Sequence, residues 1–327
     1  DPHTAVRIVD VVEDCFPQLS RLIYGCFSFT VNYCSGVYNS LNRIAGRNSC
    51  APMKAAMLQK LDQLLQFSQA DLVLSTLPLS SQYISAYKQT TGSTIPLYTY
   101  ITDISAHSEW VAPATDCYFV GDETTRLQLL RQGVPGNRIV VSGIPVRQSF
   151  RPHPHTRSSR RELLVMGGGL GLIPHADQLL SALANAPDVK VTVITGKNQQ
   201  LFRQLSAAYS TFEIVGFTDK VSDYMARADL LLTKAGGITT FEAIHAGTPL
   251  CLLRPFLMQE TENAAFVERQ GLGRILRDTG DEADQILALL RDQEELDDIK
   301  QRMAVSLRSL DPVTALDRYA GEMEAVC

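Results

Sequence analysis

Three features that would assign this chain to a common functional class are absent from its sequence. No apolar run approaches the roughly 18 to 20 residues that a membrane-spanning helix needs, so no span is predicted. The net charge is −5, which argues against nucleic acid as a main partner, because a duplex binds to a basic face. The seven cysteines form no CxxC pair and have no accompanying histidine spacing. We therefore expect no disulfide framework and no bound metal, but reduced thiols in a cytosolic protein.

Acidic residues are also absent from one long segment near the start of the chain. Residues 15–60 contain five basic residues and no aspartate or glutamate. Aromatic side chains are frequent in the same segment, which is typical of an interfacial membrane patch where rings insert and basic groups meet anionic lipid. The alternative is a core-facing helix, which Gly25, Gly36 and the lack of a clean two-faced periodicity favour.

Short apolar runs alternate with helical patterns along the rest of the sequence. This alternation predicts an α/β fold with parallel sheets and helices on both faces. At 327 residues the chain has the length of two domains. We predict a first domain at residues 1–150, a linker rich in Pro, Ser and basic residues at 151–160, and a second domain at 161–327. The predicted strands are residues 6–12, 72–75, 96–101, 117–120, 139–141, 163–166, 191–195, 212–215, 230–232 and 250–253.

The most informative stretch is residues 229–263, where an apolar strand, a glycine pair and a helix start follow one another. The run at 230–232 predicts a buried strand, Gly236 and Gly237 let the backbone turn closely, and helical spacing continues to His245. A helix start behind such a turn presents free N–H groups and the positive end of the helix dipole to an anion. The stretch therefore predicts a phosphate-binding site that needs no metal.

A second glycine loop begins at Gly167, after the predicted strand 163–166. Gly168 and Gly169 belong to a pattern similar to GxGxxG, which could approach a diphosphate. However, no acidic residue about 20 positions later ends a second strand, as the dinucleotide fingerprint requires, so a dehydrogenase fits poorly. A tight strand-to-helix turn explains these glycines equally well.

Polar residues after the two later strands each have two interpretations. Glu242 either forms a capping box with Thr239 or accepts hydrogen bonds from vicinal hydroxyls, as acidic groups do for ribose. Gln259, Glu260 and Asn263 either recognise sugar hydroxyls or form a solvated helix N-terminus. The residue spacing does not distinguish between these alternatives.

The loop after the predicted strand 96–101 contains Asp103, His107 and Trp110. These residues could serve as acid, base and stacking surface, because loops at strand ends often carry function. A purely structural histidine is the competing interpretation.

Taken in order, these motifs resemble those of the monogalactosyldiacylglycerol synthase and processive diacylglycerol glucosyltransferase family, within glycosyltransferase family 28. The resemblance covers nearly the whole chain, and several motifs occur in the right order and spacing. They are YITD at 100–103, YFVGDE at 118–123, IVVSGIPV at 139–146, MGGG at 166–169, VGF at 215–217, DLLLTKAGGITTFEAIHAGTPL at 229–250 and QETEN at 259–263.

The resemblance implies a GT-B fold, in which two Rossmann-like doubly wound domains face a cleft. The first would bind a lipid acceptor and the second a nucleotide sugar. It implies that Gly216 and Phe217 contact uracil, that residues 236–240 hold the diphosphate, and that Glu242 holds the ribose. The implied donor-binding residues are Gly168, Gly169, Gly216, Phe217, Lys234, Gly236, Gly237, Thr239, Thr240, Glu242, Gln259, Glu260 and Asn263, and the implied acceptor-side residues are Asp103, His107 and Trp110.

One departure from the family concerns the catalytic base. The family opens with a strand and a glycine-rich loop whose histidine is the usual candidate for that base. No such loop follows Asp1, and we expect that an N-terminal piece of the first domain precedes this residue. Asp103 and His107 are the catalytic candidates that this sequence offers.

The resemblance implies an inverting glycosyltransferase that moves glucose or galactose from a UDP-sugar to diacylglycerol in glycolipid synthesis. It implies no cofactor beyond the donor substrate, and a peripheral location on the inner face of the cell membrane. One alternative is a UDP-GlcNAc-dependent transferase of peptidoglycan precursor synthesis. Another is a nucleotide-sugar-binding relative without catalysis, which the missing loop keeps open.

Overall fold

The computed structural model describes residues 5–15, 17–18, 55–152, 160–168, 176–255 and 258–324. The chain divides into two compact units, residues 1–141 and 142–327. Most of the acid-free segment 15–60 and most of the predicted linker 151–160 lie outside the described residues. The two interpretations of the acid-free segment therefore stay predictions.

Unit 1 contains a parallel sheet of four strands in the order β1-β2-β3-β4. Strands β2 and β3 are buried along their whole length, which explains their continuous apolar runs. Its described elements are α1 Val11–Cys15, α2 Ala55–Ser68, β1 Val73–Ser75, α3 Pro78–Thr91, β2 Leu97–Tyr100, a 3₁₀ helix Ser108–Trp110, β3 Cys117–Val120, α4 Glu123–Arg131, a 3₁₀ helix Gly136–Arg138 and β4 Ile139–Val141.

The strand predicted at residues 6–12 is wrong. Val6 and Ile8 are 79% and 95% exposed, and residues 5–10 have no regular structure. The carboxylate of Asp10 accepts hydrogen bonds from the N–H groups of Val12 and Glu13, at 3.0 and 3.1 Å. An aspartate in this position starts a helix, so the second half of the apolar run becomes α1.

Unit 2 contains a parallel sheet of six strands in the order β10-β9-β8-β5-β6-β7. Its described elements are β5 Arg161–Met166, α5 Ala176–Leu183, β6 Val189–Ile194, α6 Gln199–Ala208, β7 Glu213–Val215, α7 Val221–Arg227, β8 Leu230–Thr233, α8 Gly237–Ala246, β9 Leu250–Leu252, α9 Met258–Arg269, β10 Gly273–Ile275, α10 Glu282–Arg291, α11 Gln293–Arg308 and α12 Pro312–Glu324. Both sheets confirm the predicted α/β class.

The strand order of unit 2 reverses between β5 and β8. From β5 the chain adds β6 and β7 on one side, then returns to add β8, β9 and β10 on the other. Ligands bind to open parallel sheets at this reversal, outside the carboxyl ends of the strands. Met166 at the end of β5 is in register with Thr233 at the end of β8, so the loops that follow them start side by side.

Strand β10 is not among the predicted strands. The strand has only three residues, and Arg274 in its middle is exposed. Gly273 allows it to pair closely with β9, because a methyl group there would lie 2.0 Å from the carbonyl oxygen of Leu250.

Candidate functional site

The glycine pair of unit 2 forms an open helix start at the reversal of strand order. Gly236 is the N-cap of α8, with φ −85° and ψ 135°, and no side chain caps it. The first bond of the helix runs from the N–H of Thr240 to the carbonyl of Gly236, at 2.9 Å. The N–H groups of Gly237, Ile238 and Thr239 therefore have no acceptor within the helix. This arrangement suits an anion, as the sequence predicted.

Side chains of α9 hold the loop that leads into this helix. The amide of Asn263, which is 1% exposed, donates a 2.8 Å hydrogen bond to the carbonyl of Ala235. The ammonium of Lys234 lies 3.3 Å from the carboxylate of Glu260, and both side chains are largely buried. Because the two residues from α9 are buried, the solvated-helix interpretation is wrong for them. Their contact with a donor sugar stays a prediction, and the side chain of Gln259 lies outside the described residues.

Glu242 lies one turn inside α8 and does not cap it. The helix begins at Gly237, so Thr239 is the third residue of the helix and not its N-cap, and the capping-box interpretation is wrong. Burial raises the pKa of the Glu242 carboxyl to about 7, and nearby Arg147 partly offsets this. A half-buried carboxyl without a capping role is available to a ligand.

One buried hydroxyl at the start of α8 lacks a partner. The Oγ1 atom of Thr240 makes no hydrogen bond to any described residue, although the side chain is 1% exposed. Buried polar groups are nearly always hydrogen-bonded, so an isolated hydroxyl here is consistent with a place where a polar ligand or water binds.

The glycine loop after β5 starts beside the α8 turn. Gly168 has a φ of +71°, a conformation that favours glycine, and a side chain at this position would meet no atom within 4 Å. The backbone here is thus open to a close approach. Gly169 lies outside the described residues.

A third turn follows β7, which β6 separates from β5. Phe217 is 71% exposed there, and the ammonium of Lys197 lies 5.8 Å from the centre of its ring. A methyl group added at Gly216 would lie 3.8 Å from the ring of Phe202. An exposed aromatic ring at a strand's carboxyl end is suited to contact a planar base.

In unit 1, the loop after β2 carries the acceptor-side candidates. Asp103 is half-buried soon after the strand ends. His107 is also half-buried, and burial lowers its pKa. Trp110 is 1% exposed and packs with Ile101 and Tyr118 in the hydrophobic core. It is therefore a core residue of unit 1 and not an open stacking surface.

Two charged neighbours of the candidate residues left no pattern in the sequence. Glu109 lies 3.8 Å from His107, but residues two apart on a helix do not normally face each other. Arg147 acts on Glu242 from a distant part of the chain. Only the folded backbone brings these groups together.

Two kinds of feature are absent from the part of the chain that the structure describes. It contains no group of three or more His, Cys, Asp or Glu side chains that could hold a metal ion. Nor do its helices include one with the length and apolar character needed to cross a bilayer.

Both units match known protein families. Residues 2–146 match the family described as monogalactosyldiacylglycerol (MGDG) synthase. Residues 163–309 match the glycosyltransferase family 28 C-terminal domain.

Relatives of this chain occur in bacilli. Processive diacylglycerol beta-glucosyltransferase from Bacillus pumilus (strain SAFR-032) is 30% identical over 258 residues, which are 75% of this chain and 67% of that protein. The protein of the same name from Bacillus thuringiensis (strain Al Hakam) is also 30% identical over 258 residues, which are 75% of this chain and 66% of that protein. The match therefore spans about two thirds of these relatives.

Two solved structures illustrate the fold. Acinetobacter baumannii MurG has a TM-score of 0.57 at 17% identity, covering 80% of this chain and 79% of that one. Anabaena Alr3699/HepE in complex with UDP and glucose has a TM-score of 0.58 at 14% identity, covering 84% of each chain. At these identities the likeness concerns the fold alone, and it confirms the GT-B fold.

Proposed function

The chain belongs to the monogalactosyldiacylglycerol synthase and processive diacylglycerol glucosyltransferase family of glycosyltransferases, and from that premise we propose that it transfers glucose from UDP-glucose to diacylglycerol with inversion. The names of the bacillar relatives support glucose as the sugar and diacylglycerol as the acceptor. The name of the family matched by unit 1 keeps galactose as the alternative donor.

The uncapped start of α8 is the observation that carries the donor half of this proposal. In the reaction, the bond between the anomeric carbon and the β-phosphate oxygen breaks, and its electron pair stays on UDP. The N–H groups of Gly237, Ile238 and Thr239 and the helix dipole stabilise the negative charge that develops there. One such preorganised donor is typically worth about 10²- to 10³-fold in kcat.

The remaining donor contacts follow from the loops around α8. The exposed ring of Phe217 contacts the base, and the free carboxyl of Glu242 accepts hydrogen bonds from the ribose hydroxyls. Lys234, Glu260 and Asn263 keep the turn in place through the ion pair and the bond to Ala235.

The acceptor half needs a base that takes the proton of the diacylglycerol hydroxyl as its oxygen attacks the anomeric carbon. His107 is the better candidate than Asp103, because burial lowers its pKa and thereby keeps the imidazole neutral and ready to accept a proton. Any histidine upstream of Asp1 would compete for this role.

The reaction runs without a metal ion, since the helix start supplies the positive potential that a divalent cation provides elsewhere. A lipid acceptor implies peripheral attachment to a membrane, on the cytoplasmic face where UDP-sugars occur. The five basic and no acidic residues at 15–60 support that segment as the contact with anionic lipid.

The deciding experiment measures UDP release by the complete protein, with any segment upstream of Asp1 included. UDP-glucose and UDP-galactose are supplied in turn with vesicles that contain or lack diacylglycerol. Faster release from UDP-glucose that depends on diacylglycerol supports the proposal, whereas a preference for UDP-galactose corrects the donor. UDP binding without release would support the non-catalytic alternative.

The likeness to MurG does not favour peptidoglycan synthesis, because HepE is equally similar.

A further inference from the structure

A carboxylate stands next to the proposed base in unit 1. The Oε2 atom of Glu109 lies 3.8 Å from Nδ1 of His107, and the two side chains are 31% and 30% exposed. This distance is too long for a hydrogen bond in the free protein. Catalytic hydrogen bonds are often long before substrate binds and tighten in the reacting complex. The two side chains are thus close enough for a small shift to bring the carboxylate into hydrogen-bonding distance of the ring.

Helix α3 fixes the main chain on the Glu109 side of this pair. The amide nitrogen of Gln82 donates to the carbonyl of Glu109 at 3.0 Å and to that of Val111 at 2.9 Å. These two bonds hold the 3₁₀ helix against α3. The main chain that carries the Glu109 side chain is therefore held in place by α3.

Helix α4 fixes the main chain on the His107 side. The N–H of Ala106 donates to the side-chain oxygen of Gln128 at 2.7 Å, and the amide of Gln132 donates to the carbonyl of Ala106. Both polar groups of the residue before His107 are thereby held. Side-chain amides from α3, from α4 and from the residue that follows α4 thus hold the main chain on both sides of the pair.

Burial disfavours the charged forms of both side chains. Burial lowers the pKa of His107 and raises the pKa of Glu109. Three basic side chains lie on the elements that pack around the loop: Lys88, Arg126 and Arg131. Lys88 is paired with Asp116, and Arg126 is paired with Glu123. Asp103 lies on the loop itself.

We propose that Glu109 is the positioning residue of His107: it holds the ring through Nδ1 and stabilises the imidazolium formed when Nε2 takes the proton of the acceptor hydroxyl. The hydroxyl oxygen bonds to the anomeric carbon, the bond to the β-phosphate oxygen breaks with its electrons on UDP, and the proton stays on His107. This inference rests on the proposed function. A histidine held and charge-balanced by a carboxylate is a recurring device in nucleophile activation.

A double-mutant cycle tests the pairing in diacylglycerol-dependent UDP release. Glu109→Gln keeps the shape of the side chain and the main-chain bonds from Gln82, so we expect kcat to fall about tenfold with the KM for UDP-glucose unchanged. In the His107→Ala background the same change has no further effect, because its partner is gone. The control Glu123→Gln, which removes a carboxylate from an exposed ion pair of the same unit, leaves kcat unchanged. Equal losses in both backgrounds, or full activity of Glu109→Gln, would overturn the proposal.

A titration gives a second readout that needs no activity. The protein has six histidines, and selective ¹⁵N labelling with comparison to His107→Ala assigns the resonance of interest. Removing the nearby negative charge destabilises the imidazolium, so the pKa of His107 is lower in Glu109→Gln than in the wild type. An unchanged pKa contradicts the pairing. If the wild type shows no diacylglycerol-dependent release, the proposed function fails while this titration still decides whether Glu109 and His107 interact.

Discussion

Replacing Glu242 with glutamine is expected to stabilise the protein and weaken its donor binding at the same time. Burial raises the pKa of this carboxyl from its ordinary value of 4.5 to about 7. One pKa unit corresponds to about 1.4 kcal/mol, so keeping the group ionised costs up to about 3 kcal/mol. Because the side chain is only partly buried, we discount this to about 1 to 2 kcal/mol for solvent screening.

The sign of the effect on stability depends on pH. Below pH 4.5 the carboxyl is protonated in both the folded and the unfolded chain, so its contribution to the free energy of unfolding is fully present. That contribution is lost as pH rises through about 7, where the folded protein must hold a partly buried charge. Glu242→Gln should therefore melt at the wild-type temperature near pH 4. At pH 8 it should melt higher, by about 2 to 4 °C per kcal/mol gained.

Donor binding should move in the opposite direction. A carboxylate accepts stronger hydrogen bonds than an amide, and bonds to charged groups are worth about 1.5 to 3 kcal/mol, or roughly 10- to 100-fold in Kd. Calorimetry with UDP-glucose between pH 6 and 8.5 should show wild-type affinity that falls as pH drops below about 7. The variant should bind weakly, without that dependence. A variant that binds UDP-glucose as well as the wild type, or melts lower at pH 8, would refute the reasoning.

Four further outcomes test separate parts of the proposed site. Gly237→Val places a branched side chain at the buried first residue of α8 and should abolish UDP-glucose binding in calorimetry. Retained affinity in a folded variant would contradict the assignment of the diphosphate site to this helix. Asn263→Ala removes the hydrogen bond to the Ala235 carbonyl, so it should raise the KM for UDP-glucose several-fold and lower the free energy of unfolding by about 1 to 3 kcal/mol. An unchanged KM would contradict a role for this bond in holding the turn. Excess EDTA should leave UDP release unchanged, and loss of activity restored by magnesium would disprove metal-free catalysis. Binding to anionic vesicles, measured by sedimentation, should weaken as salt rises, because salt screens exposed charges. Salt-independent binding would point to apolar insertion instead of the basic segment 15–60.

Most of the fold was predictable because short apolar runs are local signals. Strands β3 and β4 were predicted to the residue, and the buried run of β8 was recognised from three consecutive leucines. The exceptions were elements whose structure depends on distant partners. The segment 6–12 has a strand-like composition but no described strand beside it, and β10 exists because Gly273 allows close pairing with β9.

The sequence by itself determined the glycine turn, the helix behind it and the order of family motifs, because each is encoded by residues close together in the chain. Only the tertiary structure decided the chemistry of the side chains around them. It buried Asn263 against a carbonyl 28 residues away and excluded the capping role of Glu242 by starting α8 at Gly237. It also placed Glu109 beside His107. Burial and distance set the pKa and the partners of these groups, and both quantities exist only once separate strands and helices have packed together.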